Sequence, residues 1–175
     1  MKRRQIIQTL GAGSALGALG MLSGCASTGG SGGAKVVVVG GGFGGAAAAK
    51  YVRMWSDYGI QVTLVEPNAA FVSCPISNLV LNGKSTMADI TTPYSNLVSK
   101  HGVNVVHDMV TSIDAEKRVV KLAKGGELSY DRLILSPGVD FMWETLPGMA
   151  ASGAKDNILH AWKAGSQTAA LCKAL

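Results

Sequence analysis

Three cysteines in 175 residues, none in a Cys-x-x-Cys pair, leave no disulfide framework and no sulfur-ligated metal site to build. Aromatic residues make up only 6% and charged residues 15%, with no basic stripe interleaved with aromatics. That pattern excludes a nucleic-acid footprint. The formal charge of +5 leans on Lys2, Arg3 and Arg4; without them, 13 basic residues face 11 acidic ones. Long apolar runs are missing too: Ile6 to Leu22 is too short and too rich in glycine for a transmembrane helix. No repeat at a fixed period is visible. What remains is a 47% hydrophobic chain, enough for a packed core, of a length that fits one domain or one and a fragment.

The front of the chain reads as a targeting signal over residues 1–25. Lys2-Arg3-Arg4 is a charged start, Ile6 to Leu22 a mildly apolar stretch, and Leu22-Ser-Gly-Cys25 a close of small residues. Arg3-Arg4 with Ile6-Ile7 resembles a twin-arginine export signal, although Lys2 and Gln8 depart from its usual residues. Such a route carries folded proteins, which suits a chain that acquires a cofactor before export. Leu22 to Cys25 also resembles a lipobox, which would place a lipid anchor on Cys25; the alternative is a plain thiol near a cleavage site. Residues 26–34 form a Gly/Ser-rich flexible linker. The expected location is periplasmic, free or lipid-tethered.

Lys35-Val-Val-Val-Val-Gly40-Gly-Gly-Phe-Gly-Gly45 organises the rest of the chain. Val36 to Val39 reads as a strand covered on both faces, which has no polar alternation. A tight turn containing Phe43 and then a helical run to about Ser56 come next. Gly40, Gly42 and Gly45 match G-x-G-x-x-G. Gly40 permits the sharp turn, Gly42 lets backbone approach a pyrophosphate, and Gly45 lets helix and strand pack closely. The helix start offers free N–H groups and a positive dipole end to phosphates. A second strand, Gln61 to Val65, ends in Glu66, placed to accept hydrogen bonds from adenosine ribose hydroxyls. Glu66 followed by Pro67 and Asn68 favours FAD over NAD. A glycine-rich strand–turn–helix that binds nothing is the competing reading.

Phe71 to Asn78 reads as a loop carrying Cys74, and Ser85 to Thr92 as polar chain without a period. Pro93 is expected to open a helix through Lys100, stopped by Gly102. Val103 to His107 reads as a third parallel strand. Short antiparallel strands at 109–114, 118–122 and 128–130 then precede a buried strand, Asp131 to Leu135, that stops at Ser136-Pro137-Gly138. This order is that of the FAD domain in flavoproteins with two dinucleotide-binding domains, an α/β fold of Rossmann type. It combines a parallel sheet with a three-stranded antiparallel meander. Residues 35–150 are assigned to that domain and 151–175 to the start of a following segment.

At this point the chain resembles the flavoprotein subunit of flavocytochrome c sulfide dehydrogenase. The resemblance runs from about Ala34 onwards. It is carried by VVVVGGGFGGAAAAKY at 36–51, VTLVEPN at 62–68, CPISN at 74–78, HGVNVVHD at 101–108, YDRLILSPG at 130–138 and HAWKAG at 160–165. It implies a FAD whose 8α-methyl group is joined to Cys74. It further implies sulfide oxidised at that flavin, with electrons passed to a partner c-type cytochrome subunit. Val110 falls where relatives offer backbone to the adenine, and Ser136-Pro137-Gly138 at the second FAD motif. On spacing alone Cys74 would read as a small hydrophobe or surface thiol.

The chain is shorter than that family, whose second half and redox-active cysteine pair lie beyond the matched region. It therefore reads as an N-terminal part, inactive towards sulfide by itself, and Cys172 is given no redox role. Two other functions compete: a sulfide:quinone or NADH:quinone reductase-like FAD protein, and a flavin-carrying remnant without chemistry. His107 reads as a strand-end histidine, His101 as a helix-end dipole partner, and His160 with Trp162 as packing residues, with an approach to the flavin as the alternative. The charges at 114–124 read as a solvated hairpin.

Overall fold

The computed structural model describes residues 33–149 and 151–175. The expected export signal, Cys25 and most of the linker lie outside the described residues. The valine run forms β1 (Lys35–Val39), and the alanine-rich stretch forms α1 (Phe43–Trp55). β2 (Gln61–Val65) follows, then β3 (Ala70–Val72), α2 (Asn78–Leu81), β4 (Thr91–Pro93), α3 (Ser95–His101) and β5 (Asn104–Val106). A meander of β6 (Val110–Asp114), β7 (Val119–Leu122) and β8 (Glu127–Ser129) leads to β9 (Arg132–Leu135). Two helices, α4 (Ala154–Asn157) and α5 (Ser166–Ala174), come last.

Four strands make one parallel sheet in the order β5-β2-β1-β9. This is the α/β fold expected from the sequence, with the meander as a separate three-stranded antiparallel sheet. Alternation along the strands explains how the parallel sheet is covered twice. Val36, Val38, Val62 and Leu64 face one side, where Ala49, Val52, Tyr94 and Leu97 from α1 and the α3 region meet them. Val37, Val65 and Leu133 face the other, against Val120, Leu122 and Leu128 of the meander. Val38, Leu64 and Val120 are fully buried at 0% exposure. Each such side chain contributes about 1.5–3 kcal/mol of apolar transfer energy, so the sheet is fixed from both faces.

Two expectations need correction between β2 and β5. The segment around Cys74 is no simple loop: β3 pairs antiparallel with β4, Phe71 opposite Thr92, and α2 follows the cysteine. Pro93 does not open the helix. It ends β4 opposite Ala70, and α3 starts at Ser95 after Tyr94. A terminal position on a two-stranded ribbon tolerates a residue without an N–H. The third parallel strand is also shorter than expected, and Val103 instead sits buried ahead of β5.

The end of α1 is closed by an arginine. Asp57 and Tyr58 both take left-handed conformations, φ 48° and 61°, which non-glycine residues rarely adopt. Arg53 holds the turn by donating to the Tyr58 carbonyl at 2.7 Å and to the Ile60 carbonyl. Its Nε also donates to the His101 carbonyl at 3.0 Å, tying α1 to the end of α3. Arg53 thus serves the last carbonyl of α3, while His101 stands in the last turn of that helix, the place read from the sequence. The His101 Nδ1 is buried without a hydrogen-bond partner.

Candidate dinucleotide-binding site

The three carboxyl ends of β1, β2 and β9 converge on one turn. Gly40 has φ 96°, and its N–H donates to the Val65 carbonyl at 2.9 Å. A Cβ there would stand 2.0 Å from the Ser136 carbonyl oxygen, so the position excludes every side chain. A Cβ on Gly45 would stand 1.8 Å from the Gly40 carbonyl oxygen, which is the close helix-to-strand approach expected of it. Gly42 is different: a Cβ would meet nothing within 4 Å. Its backbone faces open space, as a surface for a phosphate group requires. The first helical closure here is the Ala46 N–H onto the Gly42 carbonyl at 2.9 Å. The N–H groups of Phe43, Gly44 and Gly45 precede it and belong to the unsatisfied start of α1.

Glu66 stands beside this turn with only 8% exposure. Its Oε2 accepts from the Gly41 N–H at 2.7 Å. Its Oε1 accepts from the Asn68 backbone N–H at 2.9 Å and from Asn68 Nδ2 at 2.6 Å. Pro67, between them, is exposed. Behind Glu66, Tyr94 is 6% exposed and donates its hydroxyl to the Gly41 carbonyl at 2.9 Å. Burial pushes the Tyr94 phenol up to about 12, with the Glu66 charge adding to the effect. His107 meets the Glu66 carbonyl through Nδ1 at 3.2 Å, and so occupies the strand-end place read from the sequence.

Ser136, Pro137 and Gly138 complete the third side. Ser136 donates its N–H to the Val39 carbonyl at 2.8 Å, and Gly138 takes φ 77°. Val110 heads β6 and packs against the buried cluster of Val37, Val65 and Val120. A loop latch places it. Buried Asp108 accepts from the Met109 N–H at 2.7 Å and from the Lys124 N–H, while Lys124 Nζ donates to the His107 carbonyl at 2.6 Å. Lys124 is therefore not merely part of the solvated hairpin; Lys117 and Lys121 are, in exposed pairs with Asp114 and Glu127.

Cys74 lies between β3 and α2, exposed and outside any disulfide. Its Sγ accepts from the Ala164 N–H at 3.4 Å, which brings the 160–165 segment against it. Phe43, 62% exposed, reaches the same ribbon through an edge contact with Phe71, ring centroids 4.7 Å apart. His160 and Trp162 meet Phe141 in tilted and edge-on contacts, ring centroids 4.6 and 4.8 Å apart, a packing role. Cys172 lies on α5, its Sγ donating to the Val80 carbonyl of α2 at 3.2 Å. An apolar cavity of about 320 Å³ lies apart from the glycine turn, between Phe141, Trp143, Met149 and Leu159. Among the described residues there is no group of three or more potential metal ligands. No described helix is long and apolar enough to cross a membrane.

Three contributors to this site escape sequence reasoning. Gly41 and Gly44 are crowded too: a Cβ would fall 2.5 Å from the Tyr94 hydroxyl and 2.9 Å from the rotatable Ser136 Oγ respectively. Both are visible as glycines, but their reasons lie 53 and 92 positions away. Tyr94 itself carries no local signal.

A parallel sheet whose first turn carries G-x-G-x-x-G, with an acid at the end of the next strand, has the layout of a dinucleotide-binding domain. The meander and the third-side turn make it the FAD-binding type found in two-dinucleotide-domain oxidoreductases. The family described as pyridine nucleotide-disulphide oxidoreductase matches residues 34–170, and the chain belongs to it. The mitochondrial sulfide:quinone oxidoreductase of Dictyostelium discoideum is 28% identical over 97 residues, 55% of this chain and 21% of that protein. An NADH dehydrogenase-like protein of Mycobacterium tuberculosis is 35% identical over 74 residues, 42% of this chain and 18% of its own length. The sulfide:quinone oxidoreductase structure from Aquifex aeolicus superposes with TM-score 0.66 at 25% identity, covering 81% of this chain and 31% of that one. A NAD-dependent persulfide reductase from A. fulgidus shares the fold, with TM-score 0.66 at 23% identity over 79% of this chain and 27% of that one. The chain thus spans about a fifth of the curated relatives and under a third of these solved structures.

Proposed function

We propose that this chain is the FAD-carrying part of a sulfide dehydrogenase flavoprotein. In this reading FAD is joined through Cys74, and electrons leave for a c-type cytochrome subunit. The open backbone at Gly42, the free N–H groups opening α1 and buried Glu66 fit the pyrophosphate and ribose of FAD. Phe43, Leu135 and Val139, 62%, 58% and 75% exposed around the turn, offer apolar surface that a bound flavin nucleotide would cover. When bound, the flavin supplies the two-electron chemistry that side chains lack. The chain's own residues bind it, orient it and keep its adenosine half out of water. Sulfide as substrate is supported by two relatives whose names specify it.

The observation that carries the covalent reading is Cys74 itself. It is an exposed, unbonded thiol on the segment just beyond Glu66, with a backbone N–H of residue 164 directed at its sulfur. A thioether there would stop the cofactor dissociating, an advantage after export to the periplasm, where lost flavin is not readily replaced. The test is the intact mass of acid-denatured protein. A mass increment equal to FAD, absent in Cys74→Ala, is expected. Flavin released on denaturation would reject the attachment.

A second reading is favoured by the relatives named for quinone. In it the same flavin passes electrons to a quinone. Photoreduced flavin on this chain should be reoxidised faster by a c-type cytochrome than by a short-chain quinone; the reverse order would establish the second reading.

A further inference from the structure

An ionised carboxylate has about four acceptor positions, and Glu66 has three of them filled. Two are taken by backbone donors: the Gly41 N–H at 2.7 Å and the Asn68 N–H at 2.9 Å. Both are held by the path of the chain. Gly41 lies in the glycine turn between strand and helix, and Glu66 is tied to β5 by its own N–H on the Val106 carbonyl at 3.0 Å. The third is the side-chain amide Asn68 Nδ2 at 2.6 Å. It is the shortest of the three and alone sits on a rotatable side chain. Asn68 is exposed, whereas Glu66 is buried.

A ribose presents two vicinal hydroxyls, and one open position on Glu66 satisfies only one of them. We propose that Asn68 sets the affinity for the adenosine ribose by occupying the second position. The proposal rests on the FAD-binding reading of this site. Binding then exchanges one donor for another at Glu66 Oε1: the Asn68 side-chain N–H leaves and a ribose O–H takes its place. Glu66 Oε1 keeps two donors on both sides of the exchange, and the second ribose hydroxyl takes the position that was open. The released amide swings into water, where solvent satisfies it. Asn68 is thus a placeholder that keeps buried Glu66 satisfied before the nucleotide arrives, and every adenosine ligand must displace it.

This exchange fixes the sign of the effect. Removing the amide costs the nucleotide-free protein a charge-assisted hydrogen bond and costs the bound state nothing at Oε1. Affinity for ligands with ribose hydroxyls therefore rises when Asn68 is truncated. A residue that merely supported the site would give the opposite sign.

The test uses the full chain carrying Cys74→Ala, so that binding is reversible, with ADP and 2′,3′-dideoxy-ADP titrated by calorimetry. Asn68→Ala and Asn68→Ser are expected to bind ADP roughly three- to tenfold tighter than the parent. Binding of the dideoxy compound should be unchanged. In a Glu66→Gln background, Asn68→Ala should no longer tighten ADP, because the site the amide occupied is altered. Unchanged or weaker ADP binding by both Asn68 variants, or equal tightening of the dideoxy compound, overturns the proposal. A parent that binds neither ADP nor FAD overturns the flavoprotein reading and this inference with it. A parent that binds both, with Asn68 variants that fail to tighten, overturns this inference alone.

Discussion

At the scale of single residues, the glycine turn separates two kinds of necessity. Gly45 is required by the fold, because a methyl group would overlap the Gly40 carbonyl oxygen at 1.8 Å. Gly42 is not, because a methyl group there meets nothing. Gly45→Ala is therefore expected to lower the thermal midpoint sharply or prevent folding. Gly42→Ala should melt near the parent temperature while losing FAD uptake; equal melting losses in the two variants would contradict this division. Tyr94 supplies a second residue-level expectation. Its phenol titrates at 10.0 in the unfolded reference and at about 12 when folded. Between those values the unfolded chain sheds a proton that the folded protein keeps, so stability falls as pH rises through that window. Urea midpoints should drop steeply from pH 10 to 12, and Tyr94→Phe should flatten that limb. Identical slopes would exclude Tyr94 as the cause. Gly40, Gly42, Gly45 and Glu66 are legible in the sequence because their spacing along strand, turn and helix forms a pattern, even where the contact itself is remote, as Ser136 is from Gly40. Tyr94, Gly41 and Gly44 are not, since each is constrained by a residue remote in sequence.

At the scale of elements, strength of pattern decides what can be read. β1 and β2 announce themselves by valine-rich runs buried on both faces, and β9 by its Leu-Ile-Leu run. The β3–β4 ribbon does not, because three-residue strands carry no countable period and pair across about twenty positions. Pro93 misleads for the same reason: only knowledge of its partner Ala70 separates a strand end from a helix start. The junction of α1 and α3 depends on one guanidinium bonded to three carbonyls. Arg53→Ala should cost about 2–3 kcal/mol, the scale of lost hydrogen bonds to a charged group and stranded carbonyls. Arg53→Lys should recover little, since a compact ammonium cannot reproduce the planar fork. Denaturant unfolding of the three proteins measures both; full recovery by lysine would reduce Arg53 to a simple charge.

At the scale of the whole molecule, the site belongs to no single part of the chain. β1 supplies the turn, β2 the acid, β9 the opposing serine, and the meander Val110. Residues 33–175 form one compact unit in which α5 packs on α2. The coarser family is legible in the sequence because the glycine turn, Glu66 and the serine-proline-glycine turn each close a strand of the parallel sheet. The docking of residue 164 on Cys74 is not: it joins the HAWKAG and CPISN segments across 90 positions, and neither segment shows that it meets the other.

The central position of β1 also imposes a timetable. Its first neighbour, β2, arrives soon, and Gly41 reaches Glu66 across 25 residues. Its second neighbour arrives late: Lys35 meets Asp131 across 96. Closing the longer loop costs about 1 kcal/mol more chain entropy, a modest thermodynamic difference. On the ribosome, where synthesis is vectorial, the difference is one of waiting. A nascent chain can form the acid side of the nucleotide cradle early, but Ser136 cannot close over Gly40 until the ninth strand has left the exit tunnel. Completion of the glycine turn is therefore gated by translation, since its third wall, Ser136, is among the last parts of the sheet to be made.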